Sequence, residues 1–558
     1  MARITASCDR RCALADPTGG PEVIKLAPIG LGPAIVAGTL DPPVALSEFC
    51  FVVRIFSDGD AFGPGLASLE KFAQAGATQL RWSDGSELPG GVMPGATTLR
   101  DFLGGNENQN PTAYIFSRSI DTFDDRAISF VAQAAKLGCD FATFDFDYDL
   151  NYDVAPQRVF TPSWNLDYAM GVDYAGEFFA LSPRAMASLA DSGLEIADLG
   201  SATSAGLNLE ALAGEFIAIR IPAVLSHNGE RRIAVDPVAQ FGSGAAAGLK
   251  ASRAVAGMLG VPIEIRPTDE PGRREVTYGD LIKPPSVAVV IPTRDRIDLL
   301  AGVIEGLLER TAYPNLQVVV IDNDSIQAKT KGYLEVLEMR GAAIHRYHGE
   351  FNFAAMHNEV LAELTSEYFC LLNNDVFIED PRWLASAMAL AVRADVGVVG
   401  AKLLYPDRTV QHAGIMIGGN GETSHYMKGI AGDDVGYGFR SAVTSEVMAV
   451  TGAAMVTRAS VFKEVGGFDA ANFAVSFNDI DYCLAVRKAG YRVLFNPGVT
   501  LFHFESKSRG LDSMNEANAA RHRRELGAMR AKWGDDFGAD PYFNPQLDPY
   551  DPCFGSLA

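Results

Sequence analysis

Short apolar runs along this chain stop abruptly in Asp, Asn, Thr or Pro, and most are followed by stretches whose apolar positions recur at helical spacing. That alternation predicts strands and helices in turn, hence a sheet with crossover connections. In the amino-terminal half the pattern predicts strands at 51–56, 114–116, 141–144 and 215–225, with helices at 65–75, 125–137 and from the small-residue run 242–248 to Leu259. In the carboxyl-terminal half it is cleaner. Val287–Ile291 is a buried strand stopped by Pro292-Thr-Arg-Asp-Arg296. Asp298 is placed to cap a helix with apolar positions Leu300, Val303, Ile304, Leu307 and Leu308. Val318–Ile321 ends in Asp322-Asn-Asp-Ser325, and Phe369–Leu372 ends in Asn373-Asn-Asp375. Helices are predicted at 333–340 and 354–364, a strand at 396–404, and helices at 477–490 and 514–533. Strand–helix–strand order with right-handed crossovers puts the three polar strand ends on one edge, where open α/β sheets bind ligands.

The punctuation divides the chain into an irregular Gly/Pro/Ala-rich leader (1–45), a first α/β module (46–265), a proline-rich linker (266–285), a second module (286–540) and an irregular tail (541–558). A chain of 558 residues exceeds a single ordinary core. Its formal net charge of -22 argues against nonspecific nucleic-acid binding and means that an anionic substrate needs a local cation. The start lacks the apolar core of a signal peptide, and no apolar run is long enough to span a bilayer. Seven scattered cysteines fit reduced thiols and a cytoplasmic setting.

Asn373 and Asp375 lie two apart at a strand end, so both could reach one hard cation; an Asx-type turn is the plainer alternative. Asp145, Asp147, Asp149 and Asp153 form a second acidic cluster, but without the central Gly and distal Glu of an EF-hand a solvated turn is its default. The stretch 418–438 is glycine-rich and polar, suited to a mobile flap.

Residues 286 to about 510 resemble the family 2 glycosyltransferases of the GT-A fold, and most closely the rhamnosyltransferase-like group that builds bacterial surface polysaccharides. The resemblance rests on Val290-Ile-Pro-Thr-Arg-Asp-Arg296, Ile321-Asp-Asn-Asp-Ser325, Leu372-Asn-Asn-Asp-Val376, Thr409-Val-Gln-His-Ala-Gly414, Thr451-Gly-Ala-Ala454 with Val465-Gly-Gly-Phe-Asp469, Phe477-Asn-Asp-Ile-Asp-Tyr-Cys-Leu484 and His503-Phe-Glu-Ser-Lys-Ser-Arg-Gly510. It implies two tandem GT-A-like, Rossmann-related modules with mostly parallel sheets, the first degenerate. Pro292, Thr293, Arg294, Asp322 and Asp324 would hold the nucleotide, with a plain turn as the alternative role of Asp322 and Asp324. Asn373 and Asp375 would fall on the metal-binding Asp-x-Asp motif, with Asp375 the principal ligand of Mg²⁺ or Mn²⁺ and His503 completing the coordination. Asp479 would be the base of an inverting transfer, preferred to Asp481, with a helix cap as its alternative role.

The implied donor is a nucleotide-sugar. The implied acceptor is a growing glycan, including one carried on a lipid at the inner membrane face, which allows peripheral membrane association. In the first module, Asp145 and Asp147 would sit on the corresponding metal motif, but no acidic pair opens a helix between 192 and 215. That module is expected to orient the acceptor or mediate assembly rather than catalyse. Two rivals stand beside this reading. A sugar nucleotidyltransferase would show a glycine-rich loop where Pro292–Arg296 lies. A non-catalytic glycan-binding scaffold would not need Asp479.

Overall fold

The computed structural model describes residues 97–104, 111–118, 122–123, 126–148, 157–212, 216–228, 245–270, 272–418, 423–504, 516–538 and 540–555, with the strands Phe49–Arg54, Thr78–Ser83 and Val92–Pro94 and six short strands between residues 3 and 36. The helix expected at 65–75, Gly242–Gly244, Asp149, Asp153 and the Glu505–Gly510 part of the last motif lie outside these residues. The chain is an α/β protein of two compact units, one mainly Ile29–Thr277 with Asn544–Leu547, the other mainly Tyr278–Phe543. Among the described residues no helix is long and apolar enough to cross a membrane.

The first unit is built on a nine-stranded mixed sheet. Phe49–Arg54 runs parallel to Ala113–Arg118 and Thr78–Ser83, and Phe141–Tyr148 runs parallel to Ala218–Asn228. Between these two groups Phe179–Leu181 is antiparallel to both neighbours. Apolar faces of Arg126–Lys136 and of the strands close a core around Ile115, Phe130, Val131, Phe144 and Ile219. The stretch 266–285, read as a linker, carries the strand Arg274–Tyr278, which pairs with Ile263–Pro267.

Asp145 is fully buried within this unit. Its carboxylate accepts from the Thr161 N–H (2.9 Å) and hydroxyl (3.1 Å), and from Asn544 Nδ2, which lies 2.9 Å from each oxygen. The acidic turn expected here is therefore an internally satisfied strand end, because the chain supplies donors where water would otherwise solvate the charge. Burial nevertheless outweighs these donors and Arg220, and pushes the Asp145 carboxyl up to about 6.

In the second unit the strands are β1 (Val287–Thr293), β2 (Leu316–Asn323), β3 (Ala343–Tyr347), β4 (Tyr368–Leu372), β5 (Val376–Phe377), β6 (Val396–Leu404), β7 (Val410–His412), β8 (Ser445–Glu446), β9 (Ala454–Arg458) and β10 (Arg492–His503). The main helices are α1 (Ile297–Glu305), α2 (Ala328–Met339), α3 (Phe353–Glu363), α4 (Trp383–Ala391), α5 (Asn478–Lys488) and α6 (Glu516–Trp533). The sheet order is β3-β2-β1-β4-β9-β6-β10-β5, with β7 on β6 and β8 on β10. β1, β2, β3 and β4 are mutually parallel, as are β6 and β10, whereas β9 is antiparallel to β4 and β6. Both sheets are thus mixed rather than mostly parallel. The reversal at β9 has a simple cause: β6 ends at the carboxyl edge, the chain makes its excursion from Tyr405 there, and β9 can only run back.

Two details depart from the pattern. Asp298 does not cap α1: the N-cap position is Arg296, and Asp298, two residues on within the first turn, receives that guanidinium's fork at 3.0 and 2.9 Å. α1 then widens into a π turn at Gly306–Arg310, which carries Leu308 off the buried stripe to 38% exposure. In the 418–438 stretch, Thr423–His425 pairs with Ile415–Ile417, and the buried Lys402 ammonium, pushed down to about 8 by burial, donates to the Gly432 and Ser441 carbonyls.

Gly302 explains how β5 seats on α1, since a Cβ there would lie 2.4 Å from the Phe377 ring. Gly302→Ala should therefore destabilise the second unit by about 1–3 kcal/mol in urea unfolding, although alanine is the better helix former by about 1 kcal/mol. A neutral or stabilising result would refute that packing argument. For Asp145 the folded pKa lies above the unfolded value, so its contribution is fully present below about 3.9 and is lost as pH rises through 6. Between pH 4 and pH 7 the stability of the native chain should fall relative to Asp145→Asn by up to about 3 kcal/mol. A gap that does not change with pH would sink that account.

Candidate active site

β1, β2 and β4 end side by side, with Thr293 in register with Asp322 and Val290 with Leu371. Their polar ends open onto a cavity of about 260 Å³. Pro292, Thr293, Arg294 and Arg296 from the β1 end, Asn323 from β2, and Asn373, Asn374 and Asp375 after β4 line it, while Phe351, Phe353 and Met356 form an apolar wall. The turns are tied to one another. Asn374 Nδ2 donates to Thr293 Oγ1 at 3.1 Å. Asp295, in the left-handed region at φ 54°, accepts the Ile326 and Gln327 N–H groups with Oδ1 at 2.9 and 2.7 Å. Its negative charge thus sits at the start of α2, where the helix dipole favours it.

The five candidates Pro292, Thr293, Arg294, Asn373 and Asp375 therefore share one cavity. Asp322 does not line it; it is buried, and its Oδ1 accepts the Ser325 N–H at 3.0 Å in a local turn. Asp324, left-handed at φ 53°, also lies outside the lining. Its carboxylate faces His348 Nδ1 at 2.7 Å and accepts the Gly349 N–H, contacts that hold it below the usual carboxylate range. The residue between them was missed. Asn323 is 2% exposed, lines the cavity, and has neither its side-chain oxygen nor its nitrogen hydrogen-bonded. A buried carboxamide without partners is costly, so one facing a cavity marks a place for a ligand with both donor and acceptor groups.

Behind Asn373 the chain turns, and β5 lays Val376 opposite His503 at the end of β10. This brings His503 Nε2 to 3.2 Å from Asp375 Oδ1, both side chains being buried. His503 Nδ1 lies 2.8 Å from Gln411 Oε1 on β7. No group of three or more His, Cys, Asp and Glu side chains among the described residues is arranged to hold a metal ion. The carboxylate–imidazole pair fits a divalent ion as part of a coordination sphere, the remaining positions being left to oxygens of a bound substrate.

Asp479 is half-buried in the first turn of α5. Its Oδ2 accepts the Gly452 N–H at 2.9 Å, and Gly452 in turn abuts the Phe353 ring of the cavity wall. It is not the N-cap, a position held by Phe477 in the left-handed conformation (φ 62°), a strained residue of the kind that clusters at functional sites. Asp481 points elsewhere: buried, it accepts from Lys532 Nζ and from Trp533 Nε1, both at 2.8 Å, and serves to dock α6. Desolvation raises its carboxyl despite the lysine.

The model of the "Glycosyltransferase like family 2" family matches residues 284–528. An uncharacterized protein, y4gI, of Sinorhizobium fredii is 40% identical over 265 residues, 47% of this chain and 29% of the relative. The O-antigen biosynthesis protein RfbC of Myxococcus xanthus is 28% identical over 449 residues, 76% of this chain and 33% of the relative. The chain thus spans about a third of the length of these curated relatives. Among solved structures, a mannosyltransferase of Pyrobaculum calidifontis in complex with GDP-Man and Mn²⁺ aligns at 18% identity and a TM-score of 0.34, over 50% of this chain and 69% of that one. Residues 284–528 are thus similar to the glycosyltransferase family 2 domain.

Proposed function

We propose that residues 286–540 catalyse inverting transfer of a sugar from a nucleotide-sugar donor to a glycan acceptor during surface polysaccharide synthesis. The observation that carries this reading is the convergence of three strand ends on one cavity, with Asp375 and His503 paired beside it and Asp479 behind its aromatic wall. The name of the Myxococcus xanthus relative supports the pathway. A lipid-linked acceptor would place the work at the inner membrane face.

In this reading Pro292, Thr293, Arg294 and Asn323 hold the nucleotide, and Asp322 and Asp324 shape the turn that presents Asn323. Asn373, Asp375 and His503 face the diphosphate, where a bound Mg²⁺ or Mn²⁺ would neutralise the leaving group. Asp479 takes the proton of the acceptor hydroxyl as that oxygen attacks the anomeric carbon and the bond to the diphosphate breaks on the opposite face. Two hydrogen bonds to its carboxylate, from Gly452 N–H and Ile480 N–H, hold it on α5. We assign residues 46–265 to a degenerate GT-A-like module that orients the acceptor or mediates assembly. The engagement of Asp145 by Thr161 and Asn544 supports this, since it leaves that carboxylate little capacity for a metal.

Asp479→Asn should lower kcat by roughly 10²–10⁴-fold while nucleotide binding is kept. Normal glycan assembly by that variant in cells would instead favour a scaffold. In thermal unfolding with UDP, dTDP or GDP and Mn²⁺, one nucleotide should raise the transition of the native chain by mass action. Asn323→Ala should lose most of that shift; if it kept the full shift, the carboxamide would have no role in nucleotide binding.

A further inference from the structure

The Thr409–Gly414 motif is not used by the mechanism above, yet its Gln411 lies directly behind the candidate metal pair. We infer that Gln411 is a positioning residue that fixes the tautomer of His503, so that Nε2 presents its lone pair to a divalent cation shared with Asp375. The inference rests on the transferase reading only for what that cation does.

The geometry is specific. An amide oxygen can only accept, so the 2.8 Å contact from His503 Nδ1 to Gln411 Oε1 places the imidazole proton on Nδ1. In the neutral ring Nε2 is then an acceptor, and it faces a second acceptor, Asp375 Oδ1, at 3.2 Å. Two lone pairs turned on one another at that distance repel unless a cation, either a proton or a metal ion, lies between them. Gln411 is 2% exposed and His503 8%, so water competes poorly for either group. The position of residue 411 is itself fixed. Its neighbours Val410 and His412 pair with Leu404 and Leu403 of β6, and its carbonyl accepts the His425 Nδ1–H at 3.0 Å. Outer partners of this kind orient a ligating imidazole, and their loss weakens metal binding by about 10–100-fold.

The test uses the full chain with ¹⁵N-labelled histidine, the His503 signal being assigned by its disappearance in His503→Ala. Long-range ¹H–¹⁵N spectra of the metal-free protein, at a pH where the imidazole is neutral, should show the Nδ1–H form. Gln411→Leu should abolish that signature and raise the Kd for Mn²⁺ about 10–100-fold, whereas Gln411→Glu, which keeps an acceptor oxygen, should restore both. An Nε2–H imidazole in the native chain, or unchanged Mn²⁺ affinity in Gln411→Leu, would overturn the role of Gln411. No Mn²⁺ binding by the native chain, with His503 in the Nδ1–H form, would instead overturn the metal-dependent transferase reading on which the inference leans.

Discussion

The second unit is governed by the dryness of its sheet. Val287–Ile291 and Phe369–Leu372 are at most 1% exposed, and helices and loops cover both faces. A carboxylate or amide within such strands would be stranded without water, so polar chemistry can appear only where the strands run out. Because β1, β2 and β4 are parallel, they run out together. Thr293, Asn323, Asn373 and Asp375 owe their common cavity to that burial as much as to any attraction among themselves.

The other half of the site is held from a distance by buried charge. Glu446 receives Arg487 Nη1 at 2.7 Å and Arg492 Nε at 2.9 Å, and Asp395 receives Arg393 and Arg492 at 2.9 and 3.1 Å. These guanidinium groups hold both acids below the usual carboxylate range against the cost of desolvation. Such a network adds little net stability, yet leaving one member unpaired costs about 3–5 kcal/mol, so it tolerates few alternative arrangements. Arg487 sits at the far end of the helix that carries Asp479, and Arg492 opens the strand that ends in His503. One network thus sets the register of both chemical groups.

The strand ends and most helices were legible in the sequence because burial and turn chemistry are local signals. What escaped were features set by neighbours. β2 was read as ending at Ile321, but it continues through Asn323. Strand alternation then turns Asp322 and Asn323 to opposite sides, and the carboxamide, not the carboxylate, lines the cavity. Asp298 looked like a cap because its residue type and position suit one, but the adjacent Arg296 competes for it more strongly. Leu308 followed the apolar stripe only while the helix kept its 3.6 period. The family resemblance already put Asp375 and His503 together, but Gln411, which joins them from a third segment, is linked to neither by any spacing rule.

Asp145 and Asp375 show how far an acidic strand end is from being a site by itself. Both follow apolar runs, and both are buried. Around Asp145 the chain brings a backbone N–H, a hydroxyl and a carboxamide, so the charge is spent on holding Thr161 and Asn544. At Asp375 the group brought close is an imidazole whose other nitrogen is already committed to Gln411, at the edge of a cavity. A carboxylate saturated with donors is a structural anchor. One paired with a lone-pair donor at the edge of a cavity keeps an oxygen available to a ligand, and the difference lies in the neighbours and not in the acid.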